Sequence, residues 1–386
     1  MPRMDIDIDV PSYLHSEVDN APETLQGFFL QFEDMWERKL WKQLTDQLID
    51  FYALPESQPY RVSIYNSFIS TFSKHVNQLK LVSFGIAAAQ EYESQEDALT
   101  FMQSLAKQVD HESSKDAFVF ATIEAARIKL FLGDVEGARE STQKAGATLD
   151  NFDSVDQKIH AAYYRVNADY HKAKAEYTAY YRNALLYLAC VKTEELPKAE
   201  AQERAYDLSI AALLGETIYT FGELLLHPIL ESLDNTEHSW LKNFLAALNA
   251  GDLQQFESLL SNISKQPLLE QSISFLRQKI CLMALIEAIF KRPPHERILD
   301  FQTIASETRL PVFEVEHLLM KALSLTLIKG SIDQVDSKIA ITWVQPRILN
   351  LQQIASMHSR LLEWSQDVKK IENLMKNNAS SFIEVA

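Results

Sequence analysis

The most constraining feature of this sequence is a change of hydrophobic period within one stretch near its carboxyl end. Residues 301–308 are predicted to form a short helix, and after a turn Pro311 is predicted to open a second helix, because its missing N–H is unpaired there anyway. From Gly330 apolar residues alternate up to Trp343, around a turn at residues 336–338. Two helices and a β-hairpin predict a winged helix, which holds the only convincing strand pair.

The remainder of the sequence favours helices. The chain has 9 glycines in 386 residues, far below the usual ~7%, and glycine weakens a helix by roughly 1 kcal/mol relative to alanine. The pairs Gly133-Asp134 and Gly251-Asp252 are typical of the connections in tetratricopeptide-like helical hairpins. We therefore predict a mainly α fold, in which a tetratricopeptide-like helical solenoid is followed by the winged helix and a C-terminal bundle helix.

Four segments are predicted along the chain. Residues 1–20, where aspartates alternate with isoleucine and valine, are interpreted as an acidic tail in preference to an added edge strand. The solenoid is predicted over residues 21–200. A second domain is predicted over residues 201–347, with a helical part over 201–279 and the winged helix over 280–347. The bundle helix and its tail are predicted over residues 348–386.

The last helix carries an unusually regular apolar pattern. Its apolar residues are separated by steps of three and four over three heptads, which is the pattern of a coiled-coil or helix-bundle seam. A helix that packs only against the solenoid of its own chain would need a less regular apolar pattern, so we favour an intermolecular bundle. The predicted seam consists of Ile354, Met357, Leu361, Trp364, Val368, Ile371 and Met375.

Three tyrosines in the middle of the chain are spaced by seven residues. Tyr163, Tyr170 and Tyr177 would share one helical face if a single helix contained all three. Such a face can stack nucleic-acid bases, but few basic residues flank it. Packing between solenoid helices is therefore the favoured interpretation.

Several classes of function are disfavoured by the sequence. The net charge of −16 opposes a general nucleic-acid role, and no two of the ten histidines lie within ten positions, which excludes the H-E-x-x-H and H-x-H metal motifs. Cys190 and Cys281 match no metal or redox spacing and are expected to be free, buried thiols. The sequence thus predicts no enzyme, no cofactor and no metal.

The expected location follows from similar arguments. The acidic amino terminus resembles no targeting peptide, and no apolar run approaches the ~20 residues of a membrane-spanning helix. We expect a protein of the cytoplasm and the nucleus.

The second helix of the winged helix offers Phe313, Glu314, Glu316 and His317 where a DNA-binding protein would present basic or amide groups. A protein-docking role is therefore favoured over DNA binding.

Three stretches resemble one known family. They are KLWKQLTDQLIDF, GELLLHPILESLDNTEHSWL and EVEHLLMKALSLTLIKGSIDQVDSKIAITWVQPRILNLQQI. Together with the order of solenoid, winged helix and terminal helix, they resemble the PCI-domain family, which is shared by the proteasome lid, the COP9 signalosome and translation initiation factor three. The resemblance is closest to a subunit of the lid and covers nearly the whole chain.

The resemblance implies a non-catalytic scaffold of the 19S regulatory particle, in ubiquitin-dependent protein degradation. It implies that residues 201–347 form the PCI domain, that the partners are other PCI and MPN subunits of the lid, and that neither nucleic acid, membrane nor small-molecule substrate is bound. The predicted seam would enter a common bundle, and the edges of the wing would extend a neighbour's sheet. The wing residues implied are Gly330, Ser331, Ile332, Asp333, Ile339, Ile341 and Trp343.

Two kinds of alternative remain open at this stage. One is a PCI scaffold of the signalosome or of the initiation factor, which differs from a lid subunit only in its partners. The other is a nucleic-acid-binding PCI protein.

Overall fold

A computed structural model of the chain describes residues 10–111, 114–152, 155–234, 236–263, 266–292, 296–348 and 351–383. The chain divides into two compact units, Met1–Leu196 and Pro197–Ala386. The predicted fold class is confirmed: helices dominate both units, and within the ranges just given the strands are confined to the winged helix.

The first unit is built of consecutive helices that pack on their neighbours in sequence. Its α-helices are α1 (Val10–Asn20), α2 (Glu23–Glu37), α3 (Trp41–Ala53), α4 (Arg61–Ser67), α5 (Gln78–Ala89), α6 (Gln95–Val109), α7 (Lys115–Phe131), α8 (Val135–Leu149), α9 (Gln157–Ala173) and α10 (Tyr177–Cys190). Short 3₁₀ helices cover Pro55–Tyr60, Ile69–His75 and Thr193–Glu195. Phenylalanines fill the core at the amino-terminal end, where the ring centroids of Phe29 and Phe51 lie 5.6 Å apart.

The helical hairpin at Gly133-Asp134 forms as predicted. Gly133 has φ +83°, a left-handed conformation that glycine adopts without steric cost. The Asp134 carboxylate accepts the N–H of Gly137 at 2.9 Å and so caps the amino terminus of α8. Ala138, one turn into α8, is buried against α7.

One prediction for the first unit is wrong, and the condition attached to another is not met. Residues 10–20 are not a tail: they form α1, because Val10 and Leu14 lie one turn apart and both are buried; the alternating residues 5–9 lie outside the described part. The three spaced tyrosines do not share one helix, because α9 ends at Ala173 and Ala175 takes a left-handed conformation with φ +55°. Tyr177 therefore begins α10.

The second unit contains the winged helix and the helices that support it. Its α-helices are α11 (Lys198–Leu214), α12 (Gly222–Leu226), α13 (Trp240–Ala250), α14 (Leu253–Ile263), α15 (Pro267–Gln271), α16 (Ile273–Phe290), α17 (Phe301–Thr308), α18 (Val312–Ser324) and α19 (Leu351–Ile383). A 3₁₀ helix covers Pro228–Leu233, and the strands are β1 (Ile298–Asp300), β2 (Ile328–Asp333) and β3 (Lys338–Val344).

The winged helix agrees with the sequence pattern in its helices and differs in three details. Pro311 caps α18 instead of opening it. The hairpin turn covers residues 334–337, because the Asp333 carboxylate accepts the N–H groups of Val335 and Asp336 at 3.0 and 3.1 Å. A third strand, β1, pairs with β3, so the predicted hairpin is a sheet in the order β1-β3-β2.

A buried lysine links two helices of the second unit. Lys279, on α16, is 1% exposed, and its Nζ donates to the carbonyl oxygens of Ala212, Leu213 and Gly215 at 2.8, 3.1 and 2.7 Å. These carbonyls belong to the end of α11, where a helix leaves acceptors unpaired. The rings of Tyr219, Phe221 and Phe275 lie 5.2–5.5 Å from Nζ. Lys279 therefore fixes α16, the first helix of the winged helix, to α11.

Candidate partner-binding surfaces

The sheet of the winged helix has a central strand and two edges. β3 is central, since Leu299 of β1 pairs with Ile339 on one side and Ile332 of β2 pairs with Ile339 on the other. The N–H of Ile341 also donates to the carbonyl of Arg297 at 3.0 Å. Among the described residues the free edges of this sheet are therefore the outer sides of β1 and β2.

This topology corrects part of the predicted surface. Ile339, Ile341 and Trp343 were expected on an edge, but they lie in the central strand, and Ile339 and Ile341 are buried in the core. The sequence does not reveal β1, because three residues are too few to show a period. Trp343 lies beyond the end of β1, pairs with Lys329, and has the Lys329 ammonium 5.0 Å from its ring centroid.

The other four predicted wing residues do lie on an edge strand. Gly330, Ser331, Ile332 and Asp333 belong to β2, and all but Ile332 are exposed. A bulge separates Lys329 from Gly330. A Cβ at Gly330 would collide with the carbonyl oxygen of Ala340, so only glycine lets the two backbones approach this closely. Contact of this edge with a partner remains a prediction.

The exposed face of α18 is apolar and acidic. Val315, Leu319 and Ala322 are buried, as the stripe of the sequence predicts, while the ring of Phe313 is 77% exposed. Glu314 and His317 line a cavity of about 620 Å³ between α16 and α18, together with Cys281, whose thiol pKa is raised by burial and by Glu314. Arg277 of α16 and Lys321 also line this cavity, so the acidic character is confined to the amino-terminal turn of α18, where Glu314 would repel the phosphates of DNA.

Arg347 fixes the point from which the terminal helix departs. Its Nη1 donates to Glu287 Oε2 on α16 at 2.5 Å, and its Nη2 donates to the carbonyl and the side chain of Asn249 at the end of α13. Burial lowers the pKa of Arg347, and the Glu287 carboxylate counteracts this shift. At Gly222 a Cβ would lie 2.9 Å from Ile348 Cβ. Arg347 and Ile348 are thereby held against the helical part of this unit.

The predicted seam lies on a helix that the rest of the described chain leaves uncovered. All seven seam residues lie on α19, and their exposed fractions range from 46% to 68%. Polar contacts stay within the helix, such as the Lys370–Asp367 pair at 2.9 Å and the Lys376–Glu372 pair at 2.6 Å. A soluble monomer gains nothing from a long exposed apolar stripe, which is typical of an interface.

Metal-ligand clusters and membrane-spanning helices were sought in the described residues. In the described ranges no group of three or more histidine, cysteine, aspartate or glutamate side chains is placed to hold a metal ion. None of the helices in those ranges has the length and apolar character that a bilayer crossing requires.

Known families match the chain along most of its length. The family described as PSD13 N-terminal repeats matches residues 28–245, the PCI domain matches residues 253–343, and the Rpn9 C-terminal helix matches residues 347–379. A relative from Schizosaccharomyces pombe, described as "Probable 26S proteasome regulatory subunit rpn9", is 48% identical over 96% of this chain and 97% of its own length. The chain belongs to the Rpn9/PSD13 family.

Further relatives separate this family from the alternative scaffolds. The "26S proteasome regulatory subunit RPN9" of Saccharomyces cerevisiae is 40% identical to the chain over 94% of it and 95% of its own length. A "Eukaryotic translation initiation factor 3 subunit M" of Coccidioides immitis is only 22% identical, over 60% of the chain and 49% of its own length. The membership therefore favours a proteasome regulatory subunit over a subunit of the initiation factor, as the sequence resemblance predicted.

Proposed function

We propose that this chain is a non-catalytic scaffold subunit of the lid of the 26S proteasome and that it supports lid assembly in ubiquitin-dependent protein degradation. The observation that carries the proposal is the uncovered apolar seam of α19 in a chain whose relatives, over more than nine-tenths of its length, are named as proteasome regulatory subunits. The neighbours are other PCI and MPN subunits, and the chain works in the cytoplasm and the nucleus.

The two surfaces have different roles in this proposal. The outer side of β2, over Gly330, Ser331, Ile332 and Asp333, adds to the sheet of a neighbouring winged helix, which satisfies the backbone groups that alternate residues of this strand direct away from β3. β1 offers a second edge on the opposite side of the sheet. A winged helix with two edges can thus have a neighbour on each side.

The terminal helix provides the larger driving force. Its 33 residues span roughly 50 Å at 1.5 Å per residue, so its seam can contact several helices of a common bundle. Burial of one large aliphatic or aromatic side chain contributes about 1.5–3 kcal/mol. Seven such residues therefore provide enough apolar surface to hold the subunit in a complex.

The proposal assigns no reaction, cofactor, small-molecule substrate, membrane or nucleic acid to this chain. A nucleic-acid role is disfavoured by the exposed Glu314 and the half-buried Glu316 of α18 and by the net charge of −16. The chain should give no salt-dependent shift of labelled DNA or RNA at physiological salt.

Native mass spectrometry of the complex purified from cells through an affinity tag on the full chain tests the proposal. We expect one copy of the chain in a particle that contains the lid subunits. A particle made of signalosome or initiation-factor subunits would contradict the assignment, and so would a chain recovered alone.

A further inference from the structure

A polar cavity of about 420 Å³ lies between α8 and α9 in the first unit. This volume is within the roughly 300–1,000 Å³ of small-ligand sites. Arg139 and Gln143 line it from one face of α8, one turn apart. Tyr163, Asn167 and Lys174 line it from one face of α9. We call it the α8–α9 cavity.

The lining of the α8–α9 cavity consists mainly of hydrogen-bond donors. Arg139 and Lys174 bring positive charge, and the amides of Gln143 and Asn167 bring neutral donors. Glu176 is the one carboxylate in the described lining, and its Oε2 lies 2.8 Å from His171 Nδ1. In a chain with a net charge of −16, Arg139 and Lys174 are a local pair of cations, which Glu176 and the neighbouring Glu136 balance in the absence of a ligand.

Among the described residues the two cations form only loose ion pairs, and Lys174 also has the side chain of Tyr170 as a hydrogen-bond partner. Arg139 Nη1 lies 3.6 Å from Glu136 Oε2, and Lys174 Nζ lies 3.7 Å from Glu136 Oε1. Both distances exceed the 2.7–3.2 Å of a good N–H···O hydrogen bond, and the Glu136 side chain is 71% exposed. Lys174 Nζ also lies 4.9 Å from the ring centroid of Tyr170. A carboxylate from another molecule can therefore take the place of Glu136 between the two cations.

A glycine positions the tyrosine that completes the lining. A Cβ at Gly146, on α8, would lie 2.5 Å from Tyr163 Oη and 3.2 Å from Tyr163 Cζ. The glycine thus lets the phenol of Tyr163 lie directly against α8, and Tyr163 lines the cavity. Two residues of the regular tyrosine spacing, Tyr163 and Tyr170, are therefore part of this site.

We propose that the α8–α9 cavity binds a carboxylate group of an acidic peptide segment, held between Arg139 and Lys174 with the amides of Gln143 and Asn167 as further donors. The balance of charge selects this ligand. With Glu136 and Glu176 beside the two cations, the net charge of the site is too small for a polyphosphate backbone, whereas one carboxylate needs only local donors. The rings of Tyr163 and Tyr170 offer walls for the neighbouring peptide residues.

Fluorescence polarisation with the full chain tests the proposal. The probe is a fluorescein-labelled octapeptide of alternating glutamate and alanine with a free carboxyl terminus; its amidated form and an amidated glutamine–alanine peptide are compared with it. The pocket variant is Arg139→Gln with Lys174→Gln. The control variant, Lys144→Gln with Lys158→Gln, makes the same charge change at exposed positions of the same two helices.

We expect the acidic peptide to bind with a Kd below about 1 mM, the pocket variant to bind at least about tenfold more weakly, and the control variant to stay within about twofold of the unmodified chain. Gly146→Ala should weaken binding as well, because it displaces Tyr163. Equal affinities for the free and amidated acidic peptides would assign a side-chain carboxylate, and a loss on amidation would assign the terminal one.

Three results would overturn the proposal. The first is no saturable binding of the acidic peptide by the unmodified chain up to about 1 mM. The second is equal weakening in the pocket and control variants, or equal binding of the glutamine peptide. The third is displacement of the peptide by inorganic phosphate well beyond that by chloride at the same ionic strength, which would assign a phosphate ligand instead.

Discussion

Replacement of Lys279 by methionine tests how the winged helix is joined to the helices before it. The substitution keeps most of the side-chain volume and removes every N–H donor. The carbonyls of Ala212 and Leu213 then lose this partner in the interior, whereas that of Gly215 keeps the N–H of Ile218 at 3.5 Å. A buried acceptor without a partner costs about 1–3 kcal/mol, so the loss of two partners and the weakening at a third carbonyl should cost about 3 kcal/mol or more. Removal of the buried positive charge is itself stabilising and offsets part of the cost of the lost hydrogen bonds.

Hydrogen exchange of the full chain, followed by mass spectrometry of peptides covering residues 205–215, measures this effect locally. A loss of about 3 kcal/mol corresponds to roughly 100-fold faster exchange where opening is rapid and reversible. The matched control is Lys321→Met, because the ammonium of Lys321 is exposed and donates to Gln278 at 2.6 Å. Exchange at residues 205–215 that differs less than about threefold between the two variants would refute a stabilising role for the three hydrogen bonds.

Three further outcomes are expected. Burial lowers the pKa of Lys279 from 10.5 to about 7, so between these pH values the folded chain binds fewer protons at this residue than the unfolded chain does. The unfolding free energy of the unmodified chain, minus that of Lys279→Met, should therefore rise with pH in this window by up to about 1.4 kcal/mol per pH unit. Urea titrations in which this difference does not change with pH would contradict the prediction. Alanine at both Leu361 and Trp364 should leave the melting temperature unchanged, because both side chains are exposed, yet weaken capture by co-expressed lid subunits by about 3–6 kcal/mol. Alanine at both Gln366 and Asn373, on the opposite face of α19, should not weaken this capture. Equal effects of the two double variants would refute binding through the seam. Gly330→Ala should lower the free energy of unfolding by about 1–3 kcal/mol, because the new methyl group collides with the Ala340 carbonyl. The control Ser331→Ala should change the melting temperature little. Equal melting temperatures of the two variants would contradict the close approach of β2 and β3.

Local patterns in the sequence predict much of this fold because local physics determines the features concerned. The helix bounds at Phe301 and Thr308 agree with the structure. The turn at Gly251 forms as predicted, since its φ of +67° favours glycine and Asp252 accepts the N–H of Gln254 at 2.9 Å. All seven residues that the step pattern assigns to the seam lie on α19.

What the sequence did not reveal depends on partners that are distant in the chain. β1 exists only because β3, about 40 positions away, pairs with it. The carbonyls that accept hydrogen bonds from Lys279 lie 64–67 positions earlier in the chain. The apolar pattern of α16 therefore cannot predict that Lys279 joins this helix to α11. The expectation that Ile339 and Ile341 lie on an edge failed for the same reason, whereas Trp343 lies in β3 beyond the end of β1. In the α8–α9 cavity only the helical spacing of Tyr163, Asn167, Tyr170 and Lys174 gave a local signal.

The most direct test of the central claim is a truncation that ends the chain at residue 350. The described side chains of α19 are exposed, so the truncated chain should keep the melting temperature of the full chain. Native mass spectrometry of lids purified from cells that express only the truncated chain should find particles without it, because the seam that enters the bundle is missing. A folded, truncated chain present in lids at the same stoichiometry as the full chain would contradict the proposed role of α19.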